Sequence, residues 1–175
     1  MVGDGLTVLS ARALGSDDPD LLTRLTAEFS AHHSSHYLDR TRLYPGIPGM
    51  LDTLIEAGHP LGVLSNKPHE FTGKVVAALL GRWNFAAVEG VRADGLRKPN
   101  PATALTIAAD MDRTPSEMVM VGDSVADIET ARNAGMRCIA VTWGFRDREE
   151  LEAVGPDGLA ESPAQVGTIL SSIGC

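Results

Sequence analysis

From Met50 onward the chain alternates between two hydrophobic rhythms. Segments with apolar residues at three- and four-residue spacing read as helices with one buried face. Between them stand short continuous apolar runs, which read as strands covered on both faces. The runs are residues 61–64, 85–88, 118–121 and 138–141. The helical stretches begin at Met50 and then cover residues 70–80, 102–109, 125–134 and 147–153. A short strand-like piece at 158–160 and a helix from Pro163 finish the sequence. Alternation of this kind predicts parallel strands joined by crossover helices, a Rossmann-like α/β sheet.

The chain begins differently. Residues 6–14 and 21–38 carry only helical periodicity, and Gly15-Ser16-Asp17-Asp18-Pro19 between them is a turn with capping side chains. Tyr44-Pro45-Gly46-Ile47-Pro48-Gly49 has linker composition. The expected organisation is therefore a partial helical domain, residues 1–43, followed by an α/β domain, residues 44–175.

Composition narrows the function classes. Among 175 residues, 43% are hydrophobic and 22% charged, with a net charge of −8. Those are ordinary globular values, and the negative balance argues against a non-specific nucleic-acid surface. No apolar run reaches the roughly 20 residues a membrane span needs. The first residues, with Asp4 and no basic flank or apolar core, do not read as a secretory signal. Two cysteines, Cys138 and Cys175, fit no metal pattern, and a reducing cytoplasm is the expected location.

Candidate chemistry gathers at the carboxyl ends of the predicted strands, where open α/β sheets bind ligands. Met120-Val121-Gly122-Asp123-Ser124-Val125-Ala126-Asp127 places two carboxylates at a strand-to-helix turn. Gly122 permits the turn, Ser124 suits a helix cap, and the hard oxygens of Asp123 and Asp127 suit Mg²⁺. Taken alone, the two aspartates are equally read as helix N-terminal carboxylates favoured by the dipole. Ser65-Asn66-Lys67-Pro68 ends another strand, and its hydroxyl, amide and backbone N–H groups could cradle a phosphate or serve as ordinary turn chemistry. Pro99 biases Lys98 away from helical backbone. An ammonium would then stand beside the other two loops, unless Lys98 is one more solvated lysine.

Taken together and in this order, Ser65-Asn66, Lys98-Pro99-x-Pro101 and Gly122-Asp123-Ser124-x-x-Asp127 resemble the second, third and fourth motifs of the haloacid dehalogenase superfamily. The closest likeness is to its phosphoglycolate phosphatase-like branch. Tyr44-Pro45-Gly46 and Val141-Thr142-Trp143-Gly144-Phe145 are similar to that branch as well, so the resemblance runs from Val2 to about Ile169. It implies a Mg²⁺-dependent phosphatase acting on a small phosphorylated metabolite, through attack by an aspartate and an aspartyl-phosphate intermediate. It implies Asp123 as metal ligand, Asp127 as the residue holding Lys98 or the metal's water shell, and Lys98 as catalytic charge. Ser65, the Asn66 backbone and Lys98 would bind the phosphoryl oxygens.

The family's first motif, Asp-x-Asp-Gly-Thr, which supplies the nucleophile, does not occur in these residues. Gly3-Asp4-Gly5-Leu6-Thr7 is the nearest likeness, and it would put Val2 at the nucleophile position. Val2–Leu6 instead resembles the start of the family's helical cap, with Asp4 beginning a helix. The expectation is a core without its first, central strand, inactive by itself, with exposed edges on the strands ending at Ser65 and Asp123. Those edges could template pairing with a second copy. The alternative is a non-catalytic phosphate- or partner-binding remnant of the same fold. A dehalogenase reading is disfavoured, because that chemistry needs no metal beside Asp123 and Asp127.

Weaker signals complete the reading. His32 and His36 have the one-turn spacing of a metal pair but lack an acidic partner in the metalloprotease pattern, which favours a solvated or packing role. His36, Tyr37 and Arg40 are candidate substrate contacts by the same resemblance. Trp143 reads as core packing more than as a site wall, and Arg97 as a surface residue.

Overall fold

The computed structural model describes residues 6–174, with side chains described from Val8. The chain forms two compact units, residues 1–42 and 43–175. The expectations for Val2, Gly3, Asp4 and Gly5 lie outside the described residues, as does Cys175.

The first unit is a pair of helices, α1, Leu6–Leu14, and α2, Pro19–His36, which pack on each other. Asp18 caps α2, its Oδ1 accepting the N–H groups of Asp20 and Leu21 at 2.9 and 3.2 Å. Pro19 follows at the first helical position, where its fixed φ suits the turn and no hydrogen bond is lost. Helix α2 thus starts two residues before the expected one.

The second unit runs α3 (Ile47–Glu56), β1 (Leu61–Pro68), α4 (His69–Leu80), β2 (Phe85–Val91), α5 (Ala102–Asp110), a 3₁₀ turn (Pro115–Glu117), β3 (Val119–Gly122), α6 (Val125–Ala134), β4 (Arg137–Val141), α7 (Arg148–Val154), β5 (Gly158–Ala160) and α8 (Pro163–Ile173). This is the expected α/β alternation, and every strand pair is parallel. One boundary moves. The linker reading of residues 44–49 extends too far, because α3 begins at Ile47 after Gly46 turns the chain at φ 88°. Only glycine holds that backbone cheaply, and Pro48 then sits in the first turn, where proline is at home.

The strands fall into two groups, β1–β2 and β3–β4–β5, and among the described residues no strand pairs β1 with β3. In the larger group the side chains of β4 alternate cleanly, as a period of two requires. Cys138 and Ala140 enter one core with Ala104 and Ala108 of α5, Ile128, Ala131 and Ala134 of α6, and Leu151 of α7. Ile139 and Val141 enter the other with Ala160, Val166 and the inner face of α8, joined by Met50 of α3. Helices thus cover both faces. Leu64 of β1 reaches the first core, which ties the smaller group to the larger.

Two of the apolar runs are less covered than their sequence suggests. No residue of β1 is buried, and β3 leaves Val121 at 42% exposure. The cause is the division of the sheet: each strand has one unpaired edge where a neighbour would cover it.

Candidate functional site

One lysine joins β1 to the start of α6, the helix that follows β3. Lys98 lies in the irregular segment between β2 and α5, and its ammonium donates to the Leu64 carbonyl at 3.2 Å and to Asp127 Oδ1 at 2.6 Å. Its side chain is 14% exposed and that of Asp127 is 6% exposed. A buried ion pair of this kind survives only when the remaining lone pairs are also satisfied. They are: Asp127 Oδ2 accepts the Ser124 backbone N–H at 3.0 Å and its hydroxyl at 2.6 Å.

Local sequence explains why Asp127 can sit there. Ser124 and Asp127 form a capping box at the start of α6, each bonding the other's backbone N–H. Asp127 thus caps the helix with Oδ2 and meets the Lys98 ammonium with Oδ1. Gly122 makes room, since a Cβ at that position would overlap the Asp127 carboxylate.

Asp123 is held separately. Its Oδ2 accepts the Phe145 N–H at 2.8 Å, which fixes the carboxylate's direction from the loop after β4. Gly144 allows that loop to come so near, because any Cβ there would collide with Asp123. This role for Gly144 and the Phe145 N–H was not legible in the sequence, although the Val141–Phe145 resemblance marked the segment. Trp143 packs beside the second core, as expected.

Ser65 and Asn66 stand near the end of β1. The Ser65 hydroxyl accepts the Lys67 N–H at 3.1 Å, a local bond inside the last half of β1. The Asn66 side chain does something unforeseen. Its Oδ1 accepts the Lys98 backbone N–H at 2.7 Å, and its Nδ2 donates to the Lys98 carbonyl at 3.1 Å. The sequence offered this amide to a phosphate or to turn chemistry; here it is spent on the Lys98 main chain.

Behind the site, Cys138 is buried, and burial pushes its thiol up to about 12, so it stays neutral as an interior residue. At the end of β2, Arg92 is hydrogen-bonded to Glu89 at 2.9 Å through two nitrogens and holds that carboxyl below its ordinary value. His69 joins them, its Nε2 3.1 Å from Arg92 and its Nδ1 3.3 Å from Glu89. Of the weaker candidates, His32 and His36 stack with ring centroids 4.1 Å apart and 9° between planes. The His36 Nδ1 lies 2.9 Å from the His32 carbonyl. With Tyr37 and Arg40 they belong to the first unit. No group of three or more metal-ligating His, Cys, Asp or Glu side chains occurs among the described residues. No helix among them is long and apolar enough to cross a membrane.

Comparison with known proteins decides the family. Residues 1–135 match the family of haloacid dehalogenase-like hydrolases. The chain belongs to that family. A phosphoglycolate phosphatase of Vibrio vulnificus (strain YJ016) is 33% identical over 172 residues, an alignment covering 94% of this chain and 75% of that protein. Another from Haemophilus influenzae (strain 86-028NP) is 30% identical over 177 residues, covering 97% and 79%. The crystal structure of a predicted phosphoglycolate phosphatase from Haemophilus somnus 129pt superposes with a TM-score of 0.85 over 96% of this chain and 78% of that one. At 24% identity that likeness shows the shared fold. Within the haloacid dehalogenase-like hydrolases, this chain stands in the phosphoglycolate phosphatase-like branch.

Proposed function

We propose that this chain carries the phosphate-handling part of a Mg²⁺-dependent phosphomonoesterase, acting on a small phosphorylated metabolite of the phosphoglycolate kind. The observation that carries the reading is the Lys98 ammonium, largely withdrawn from solvent and fixed between the Leu64 carbonyl of β1 and the Asp127 carboxylate in the first turn of α6. Phosphoryl transfer asks the protein mainly for positioning and charge stabilisation, which a held cation supplies without reorganisation.

The roles follow from what each group still has to offer. Lys98 neutralises charge on the transferring phosphoryl group. The Ser65 hydroxyl and the Asn66 backbone N–H bind its oxygens. Asp127 has both oxygens engaged by Lys98 and Ser124, so it is a positioning residue. Asp123, a hard oxygen donor oriented by Phe145, suits Mg²⁺, which takes one or two carboxylates and fills its shell with water and phosphate oxygens. When bound, the metal would neutralise phosphoryl charge. Residues 1–43 are the counterpart of a helical cap, with His36, Tyr37 and Arg40 as substrate contacts. The setting is the cytoplasm, and the open edges of β1 and β3 are where a second copy would pair.

The covalent acceptor is not among these residues, since no Asp-x-Asp-Gly-Thr occurs in them. The 175 residues alone should therefore bind phosphate without turning over phosphomonoesters. With p-nitrophenyl phosphate or phosphoglycolate and Mg²⁺, turnover at an enzymatic rate of roughly 1–1,000 per second, abolished by Asp123→Asn, would refute the inactive reading. The same missing motif favours a second reading, a non-catalytic phosphate- or partner-binding protein of this fold. Joining an upstream strand ending in the first motif separates the two. Activity that then depends on Lys98 and Asp123 supports the phosphatase.

A further inference from the structure

We propose that the side-chain amides of Asn66 and Asn133 act as a two-sided clamp that positions Lys98, which makes Asn133 a positioning residue of the site. The inference rests on the reading of Lys98 as the phosphate-binding cation.

Lys98 belongs to residues 92–101, which form neither helix nor strand, so its backbone groups have no ladder to join. Asn66 replaces the ladder with one side chain. It accepts from the Lys98 N–H at 2.7 Å and donates to the Lys98 carbonyl at 3.1 Å, the two-point pairing a neighbouring strand would give. The next carbonyl, that of Pro99, accepts from Asn133 Nδ2 at 3.1 Å. Asn66 belongs to β1 and Asn133 to α6.

The ammonium of Lys98 is tied to the same two elements, through Leu64 of β1 and Asp127 of α6. Main chain and side chain are thus anchored in parallel, one anchor from each group of strands. A lysine side chain is long and flexible, and its charge stays in place only if its root is fixed as well. Asn133 is exposed near the end of α6, where asparagine is a poorer helix former than alanine. Its placement is explained by the bond to Pro99, 34 residues away in the chain.

The chain contains three lysines, Lys67, Lys74 and Lys98. Acetylation by a limiting acyl reagent, read by mass spectrometry, therefore reports Lys98 directly, with exposed Lys74 as the internal reference. In the wild-type chain Lys98 should react at least about tenfold more slowly than Lys74, the factor a charged hydrogen bond represents. Inorganic phosphate with Mg²⁺ should slow it further. Asn133→Ala and Asn66→Ala should each raise the Lys98-to-Lys74 ratio several-fold and weaken the phosphate protection. Asn133→Gln, which keeps the carboxamide donor, should stay near wild type. Asn133 is exposed, so its variants leave the core intact, and a rise at Lys74 would reveal any unfolding.

An unchanged ratio in both alanine variants, with phosphate still protecting Lys98, would overturn the clamp and leave the phosphate reading standing. A raised ratio with no phosphate protection in the wild type would support the clamp and refute the phosphate reading.

Discussion

The two groups of strands are built from equally apolar sequence but end in different states. In β3–β4–β5, strand β4 is buried from 138 to 141, and α6 alone buries Asp127, Ile128, Thr130, Ala131 and Ala134. In β1–β2, β1 buries nothing, β2 buries only Ala87 and Gly90, and α4 buries only Thr72. Both have a covering helix and a parallel partner. What differs is the neighbour: β4 is paired on both edges, while β1 is paired on one. A hydrophobic run states what a strand can bury, and its neighbours decide how much of it is buried.

The site sits on that difference. Asp123 and Asp127 grow from the well-packed group, Ser65 and Asn66 from the open one, and Lys98 joins them. The larger group is a rigid base for the metal-ligand candidate. The smaller packs on α5, sends Leu64 into the first core and is joined to α6 through Lys98.

Removing the shared ion pair should have the largest effect. Asp127→Ala leaves the Lys98 ammonium buried beside only a carbonyl, and breaking such a pair costs about 3–5 kcal/mol. Urea melts should show it, and a loss under about 1 kcal/mol would mean the pair is solvated. Next come paired core truncations. Leu151→Ala, in the closed core, should cost about 2–5 kcal/mol, and half-buried Val63→Ala on β1 clearly less. Equal losses would erase the distinction between the two groups.

Acid should then act on the open group. Arg92 keeps the Glu89 carboxyl below its ordinary 4.5, so the folded form holds its proton less tightly than the unfolded chain. That contribution is complete above pH 4.5 and is lost as pH falls through the lowered value. Melting temperatures of Glu89→Gln should show a shallower acid decline than wild type. The smallest effect lies in the closed group. Because burial raises Cys138 from 9.0 to about 12, stability should decline as pH climbs past 9.0 and the unfolded thiol ionises. Cys138→Ala should flatten that alkaline limb, and an unchanged limb would place its origin elsewhere.

Much of this was legible in the chain. The helix and strand alternation gave the parallel α/β architecture, and the spacing of Ser65, Lys98 and Asp123 pointed to one sheet edge. The family resemblance left Asp127 either holding Lys98 or ordering a metal's water shell, and its contact with the ammonium is seen only in the fold. Other features were not legible, because they depend on which loops meet. Nothing local to Asn133 says that Pro99 lies opposite it, and nothing near Gly144 says that Asp123 needs the space. Nor does an apolar run such as Leu61-Gly62-Val63-Leu64 show that one of its edges stays open.

In the proposed function, Ser65, Asn66, Lys98 and Asp123 form one phosphate site with the Lys98 ammonium at its centre. Calorimetric titration of the whole chain with inorganic phosphate in the presence of Mg²⁺ tests it most directly. Saturable binding is expected, weakened at least about tenfold in Lys98→Ala, one charged contact's worth, and weakened in Asp123→Ala. Absence of binding, or equal affinity in wild type and Lys98→Ala, would contradict it.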